Sequence, residues 1–186
     1  SDYALFASPD LKRWTKLCDV TLPGDSECPE FFEIALDGDA KNTRWIFYGA
    51  NGKYLVGKFE GTNFLPESKP QALQDGNTWY ASQTFNNIPP ADGRRILIPW
   101  GRHGDLHRGM PFNQMMGLPV ELTLHSTDTG LRLLVQPVKE LAALRQQTHT
   151  IKPQGLLPGE NPLADLKGEL IEMQAEIVLG EATEIS

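Results

Sequence analysis

A chain of 186 residues, 40% hydrophobic and 22% charged, has the length of one ordinary domain and a globular composition, which rules out wholesale disorder. Its net charge of -7 and pI near 5.1 argue against a nucleic-acid partner, which draws on a basic stripe, and no apolar run approaches the ~20 residues of a membrane-spanning helix. The two cysteines, Cys18 and Cys28, allow one bridge or none, and are too few for a disulfide scaffold or a zinc cluster of their own.

The chain enters a strand-like run at Tyr3–Ser8 without a leading Met or a charged-then-apolar leader. Further strands are expected at Phe31–Leu36, Arg44–Gly49, Tyr54–Glu60, Trp79–Phe85, Arg95–Pro99, Val120–Ser126 and Leu131–Pro137. Each is rich in aromatic or β-branched residues, or alternates apolar with polar. Turn chemistry separates them: Asp37-Gly38-Asp39, Asn51-Gly52, Glu60-Gly61, Asp75-Gly76-Asn77 and Asp92-Gly93. Asn51-Gly52 is the strongest hairpin signal and predicts a type I′ turn, with positive φ at both positions. The regular spacing suggests a sandwich, barrel or propeller. One helix is expected, Val138–Gln147, just after Pro137. A Pro/Gly-rich stretch from Lys152 to Pro162 reads as a linker. Leu170–Leu179 then alternates cleanly and predicts a half-buried strand whose sheet lies mostly outside this sequence. With strands so close to both ends, a piece of a longer protein is expected.

Two motifs suggest chemistry that their context does not support. Gly52–Lys58 has the spacing of a phosphate-binding loop, but Phe59 follows the lysine and the segment reads as a hairpin strand. His103-Gly104-Asp105-Leu106-His107 gathers potential ligands, yet its flanking glycines suggest a polar loop rather than a metal-binding helix. Neither a metal nor a cofactor is assigned. His125 and His149 have no identifiable partner.

Glu27-Cys28-Pro29 is more informative, because it stands directly before the apolar strand Phe31–Leu36. Pro29 biases Cys28 toward an extended conformation. A carboxylate at such an entrance can lie against apolar walls, where desolvation favours the protonated form that a general acid requires. An ordinary exposed loop carboxylate is the alternative reading of Glu27. Glu30 and Glu33 are weaker candidates.

Several segments, taken in order, resemble the β-fructofuranosidases of glycoside hydrolase family 32, the invertases, levanases and inulinases. Ser8-Pro9-Asp10-Leu11-Lys12-Arg13-Trp14 resembles the family's SPDLxxW segment, and Glu27-Cys28-Pro29 its ECP motif. Trp79–Phe85 resembles FYAAQTF, and Gly93–Trp100 resembles GRRIxIGW. Leu118–Leu122 is similar to the LPREL strand, and Leu134–Leu141 to the run that closes the catalytic domain. The Met110–Met116 run leans toward bacterial levanase-like members.

The resemblance implies an all-β fold: part of a five-bladed β-propeller, then a connecting helix and the first strand of a C-terminal β-sandwich. On that reading residues 1–137 are the C-terminal portion of the propeller, 138–162 the helix and linker, and 163–186 the start of the sandwich. It also implies a retaining hydrolase that releases fructose from levan, inulin or sucrose, with Glu27 as general acid/base. Tyr80 and Trp100 would wall the sugar site, since aromatic rings stack on sugar C–H faces, and Cys28 would lie beside the fructose. Arg94 or Arg95 could reach sugar hydroxyls.

The sequence also departs from the family pattern. The Asn-Asp-Pro-Asn motif that carries the family's nucleophile is absent, as is its Arg-Asp-Pro motif. Thr78 stands where the family has Asp, and Pro99 where it has Gly. The chain by itself is therefore expected to be inactive, and a complementary N-terminal polypeptide carrying the nucleophile is an implied partner. The other implied partner is fructan or sucrose, with no nucleic acid and no membrane. The alternatives are a non-catalytic fructan-binding module and a half-propeller completed by a partner chain. The substrate class implies a secreted or periplasmic location.

Overall fold

The computed structural model describes residues 2–76, 79–102 and 109–180. The chain divides into two compact units, 1–144 and 145–186. The first holds all the secondary structure found among the described residues.

That unit opens with an antiparallel pair, β1 (Tyr3–Ala7) and β2 (Thr15–Val20). A meander follows: β3 (Glu30–Leu36), β4 (Asp39–Tyr48), β5 (Lys53–Phe59) and β6 (Phe64–Pro66), with the short β7 (Gln71–Ala72) also on β5. A second group comprises β8 (Trp79–Thr84), β9 (Arg95–Gly101), β11 (Val120–Thr127) and β12 (Gly130–Pro137), with β10 (Met115–Met116) at the end of β9. The two groups join through one parallel pairing, Leu124 with Leu36. Each is thus a largely independent up-and-down sheet, the form of a propeller blade.

The core explains why the strand sequences are so continuously apolar. In β4, Ile46 and Tyr48 point into a cluster with Phe32, Val56, Leu97 and Leu122, between the two groups. Their neighbour Phe47 points the other way, into a cluster with Val20, Leu22, Leu55 and Phe64, which Tyr3 and Phe31 also join. In β5, Tyr54 and Val56 face the first cluster and Leu55 the second. Successive side chains leave opposite faces of a strand, so a sheet covered on both faces needs apolar residues at every position. Phe47 is 1% exposed, with the Tyr3 ring edge-on at 5.0 Å.

The turns differ from expectation in an informative way. The two-residue turn with positive φ at both positions is Asp37-Gly38, at +54° and +77°, which joins β3 to β4. At the Asn51-Gly52 corner only Gly52 is left-handed, at +79°. Gly52 N–H donates to Gly49 O at 3.0 Å, and Gly49 N–H to Lys53 O at 2.9 Å. This is the longer hairpin loop, a type I turn followed by a left-handed residue, and not a type I′ turn.

The Gly52–Lys58 segment is a loop end and strand, as its context predicted. A Cβ at Gly57 would stand 2.3 Å from the carbonyl oxygen of Leu65, so close strand packing is what that glycine serves.

The expected helix is only a six-residue 3₁₀ segment, Lys139–Leu144, with no buried residue. Nothing rewards a longer helix there, and short helices are marginal without packing. It is held at its start by Val138 N–H donating to Pro119 O at 3.2 Å. Arg94 grips it as well, with one fork on Glu140 (2.9 and 3.1 Å) and another on Asp92 (2.6 and 2.7 Å).

The second unit has turns but no strand or helix among its described residues. Leu170–Leu179, expected as a strand, is not one, and Leu170 and Val178 are 99% and 89% exposed. Alternation supplies a face but no hydrogen-bonding neighbour, and a strand requires both. Arg145 and Glu172 form a bidentate pair at 2.6 and 2.7 Å within this unit.

Candidate active site

Glu27 lies in the loop between β2 and β3, at the entrance to β3. Its side chain is exposed, so the apolar walls expected around it are not provided by the described residues. What it has is a hydrogen bond: the Tyr80 hydroxyl donates to Oε2 at 2.7 Å. That bond, followed by burial and the nearby negative charge, holds the Tyr80 phenol above its ordinary value, with Cys28 adding a smaller effect in the same direction. Arg102 acts in the opposite sense, with its guanidinium 4.0 Å from the centre of the Tyr80 ring.

Tyr80 and Trp100 come together because β8 and β9 are paired in a register that sets them opposite each other. Their rings meet edge to face, with centroids 5.9 Å apart. Trp100 also lines an open apolar hollow with Ala81, Phe85, Ile98 and Met116. The structure therefore brings Glu27, Tyr80 and Trp100 into one connected group.

The backbone around this group is unusual. Cys28 is exposed with a free thiol, and its φ is +44°. The extended conformation expected of a residue before proline is overridden there. Ala81, the residue after Tyr80, has φ of +45°. Glu27 and Tyr80 are thus each followed by a left-handed, non-glycine residue, a costly conformation that persists only where surroundings enforce it. Ala50 connects the two segments: its N–H donates to Glu27 O at 3.0 Å, and its own carbonyl accepts from Ala81 N–H at 2.9 Å.

The bulge at Ala81 has a cause in the sequence. The register of β8 against β9 shifts between Tyr80 and Gln83, across from Pro99. Proline has no N–H to donate, and β9 here changes partner, from β11 at Leu97 to β10 at Trp100. Pro99, noted as a departure from the family pattern, could have signalled the bulge. Inside the bulge, Ser82 is buried and shares a 2.5 Å hydrogen bond with the Tyr48 hydroxyl, whose pKa burial pushes up to about 12.

Other candidate side chains make contacts within the fold. Arg94 is fully engaged by Asp92 and Glu140. The Arg95 guanidinium lies 4.7 Å over the Phe32 ring, and burial lowers its pKa. Glu30 accepts a hydrogen bond from Thr84 N–H at 2.7 Å. Glu33 pairs with Thr43 across the strands. His125 contacts Thr123 and Asp37. Thr78 and the His103–His107 segment lie outside the described residues.

Asp25 carries no signal in the sequence. It is only 4% exposed, and it accepts hydrogen bonds from the Tyr3 hydroxyl (3.2 Å), Ser26 N–H (3.0 Å) and Asn51 N–H (2.8 Å). No local pattern announces it, because two of those donors lie more than twenty residues away in sequence.

Residues 1–137 match the model of the glycosyl hydrolases family 32 N-terminal domain. The chain belongs to that family. Among curated relatives, a levanase of Bacillus subtilis is 28% identical over 194 residues, covering 92% of this chain and 29% of the levanase. A cell-wall isozyme of β-fructofuranosidase from Zea mays is 25% identical, covering 84% of the chain and 30% of that enzyme. The chain thus spans less than a third of the length of either relative. An exo-inulinase structure from Aspergillus awamori superposes with a TM-score of 0.63 at 22% identity, over 75% of the chain and 32% of the inulinase. The fold is accordingly part of the five-bladed β-propeller of family 32 enzymes, nearly all β.

Proposed function

We propose that this family 32 chain is part of a retaining hydrolase of β-fructosides and that Glu27 is its general acid/base. The carrying observation is that Glu27, within the Glu-Cys-Pro segment, presents an exposed carboxylate hydrogen-bonded to Tyr80. Behind the pair stands Trp100, whose ring face suits the C–H surface of a fructose unit. In such a cycle a second carboxylate attacks the anomeric carbon while Glu27 gives its proton to the leaving oxygen. Glu27 then takes a proton from the water that attacks the covalent intermediate, which restores both groups. Cys28, exposed beside Glu27, would border the sugar without reacting.

The nucleophile is not among the motifs of this sequence, which contains no Asn-Asp-Pro-Asn segment. The reading therefore requires a complementary polypeptide segment, and it expects the 186-residue chain alone to release no fructose. The names of the levanase and of the cell-wall β-fructofuranosidase support reading the substrate as a β-fructoside, levan among them, and the cell-wall name supports a setting outside the cytoplasm, secreted or periplasmic.

The test is Glu27→Gln in the complete protein, assayed by fructose release from levan and sucrose. The substitution should lower kcat by about 10²–10⁴-fold, the usual contribution of a general acid/base. Activity near that of the unsubstituted protein would remove Glu27 from the role.

A further inference from the structure

We propose that Asp25 is a positioning residue that fixes the Glu27 carboxylate against Tyr80. The proposal rests on the reading of Glu27 as the reacting carboxylate, but its geometry can be tested separately.

Asp25 stands two residues before Glu27, and both of its carboxylate oxygens are engaged. Oδ1 accepts from Tyr3 of β1 and from Ser26 N–H, while Oδ2 accepts from Asn51 N–H in the β4–β5 loop. The Tyr3 hydroxyl also reaches Glu27 O at 3.1 Å. The same peptide oxygen accepts the Ala50 N–H, and Ala50 O in turn receives Ala81 N–H, next to Tyr80. One buried carboxylate therefore sets the β4–β5 loop that spans from the Glu27 backbone to the Tyr80 backbone. The fit is close: a Cβ added at Gly49 would stand 2.6 Å from Asp25 Cγ, so the loop carries glycine where the carboxylate must pass.

Hydrogen bonds to a carboxylate are short and strong, and here two backbone N–H groups, of Ser26 and Asn51, and the Tyr3 hydroxyl join three chain segments at a single point. The arrangement also bears on the strained residues. Cys28 and Ala81, the two left-handed residues, stand at the points where the β4–β5 loop is tied, Ala50 N–H to Glu27 O and Ala81 N–H to Ala50 O, which helps to hold them there. On this reading the 2.7 Å contact of Glu27 with Tyr80 is a product of Asp25, not of local preference at either residue.

The state of that contact can be read at Tyr80. The groups facing its phenol are Glu27 and Cys28, which raise its pKa, and Arg102, which lowers it. The complete protein would be labelled at tyrosine Cζ, with the Tyr80 signal assigned by Tyr80→Phe and titrated by NMR. Asp25→Asn keeps the shape of the side chain but loses the charge, and presents an NH₂ group where an acceptor stood. The expected result is a Tyr80 midpoint moved down toward the ordinary phenol value, with kcat reduced about tenfold and KM nearly unchanged. Tyr3→Phe should move both in the same direction by less. Asp37→Asn is the control: Asp37 also accepts a backbone N–H, from Ser126 at 2.9 Å, on the β3–β4 turn, and its loss should leave Tyr80 unmoved.

A Tyr80 midpoint unchanged in Asp25→Asn, or moved equally in Asp37→Asn, overturns the proposal. Should Asp25→Asn fail to fold, Tyr3→Phe decides, and an unmoved Tyr80 overturns it. Normal activity in Glu27→Gln together with a shifted Tyr80 in Asp25→Asn would remove the catalytic reading and leave the positioning role standing.

Discussion

Two stretches of this chain carry comparable strand signals and meet different fates. Trp45–Tyr48 and Tyr54–Val56 lie within β4 and β5, sandwiched between two apolar clusters. Leu170–Leu179 alternates apolar with polar residues, yet is neither a strand nor buried. The difference lies in neighbours. β4 has β3 on one side and β5 on the other to satisfy its backbone groups, and side chains cover both of its faces. The segment at 170–179 has no ladder partner among the described residues. An apolar pattern states which residues can be buried. It does not provide the surface that buries them.

Substitutions can break or sharpen that contrast. The largest effect is expected at Phe47, which is 1% exposed and packed against Tyr3, Phe31 and Phe64. Phe47→Ala should destabilise the chain by about 3–5 kcal/mol in urea denaturation. A cost below about 1 kcal/mol would mean that the second cluster contributes little.

The next effect concerns acid. The Arg94 guanidinium holds Asp92 down to about 2 and Glu140 below the usual carboxylate range. Carboxyls depressed in the folded state stabilise fully above their unfolded values, and that stabilisation is lost as pH falls through the folded ones. Thermal melts of wild type and Arg94→Gln should therefore differ near neutrality and converge as pH falls from about 4 toward about 2. In the other unit Arg94 has a counterpart in Arg145, whose partner Glu172 is also lowered. Arg145→Gln should leave the melt unchanged at every pH, because breaking an exposed pair in a segment without secondary structure unfolds nothing cooperative. A gap between Arg94→Gln and wild type that persists at low pH would remove the carboxylates from the explanation.

The smallest effect belongs to Ile171, which is 70% exposed. Ile171→Ala should change stability by less than about 0.5 kcal/mol in the same urea assay. A loss comparable to that of Phe47→Ala would show that residues 145–180 are packed after all, and the contrast would dissolve.

Much of the fold was legible in the sequence because β-rich runs and turn dipeptides mark strand positions directly. The runs at Phe31–Leu36 and Leu131–Pro137 agree with β3 and β12 to within a residue at each end. β2 escaped notice because Lys16 and Asp19 interrupt Thr15–Val20. The short strands β6, β7 and β10 exist only by pairing with a longer neighbour, which no local pattern reveals. The positive-φ turn was expected one hairpin too late, because Asp25, Glu27 and Ala81 draw the Gly49–Gly52 loop into another shape. At the site, the Glu-Cys-Pro segment and the aromatic pair could be read from the sequence. Asp25 and the left-handed Cys28 could not, since contacts remote in sequence make them what they are.

The doubly covered sheet has a consequence for how the chain finds its alignment. In a sheet with one wet face, a slip of one residue throws every apolar side chain into water, and that penalty corrects the error. In β4 a slip merely exchanges Trp45 and Phe47 for Ile46 and Tyr48, all of which are at home in a core. Greasiness cannot tell the right alignment from its neighbour here. The discrimination must come from the corners, where Asp37-Gly38 and the Gly49–Gly52 loop count residues, and from Gly57, where a Cβ would meet the carbonyl oxygen of Leu65. The small, weakly hydrophobic positions are where this molecule keeps its proofreading, and changes there should yield compact but misaligned chains rather than unfolded ones.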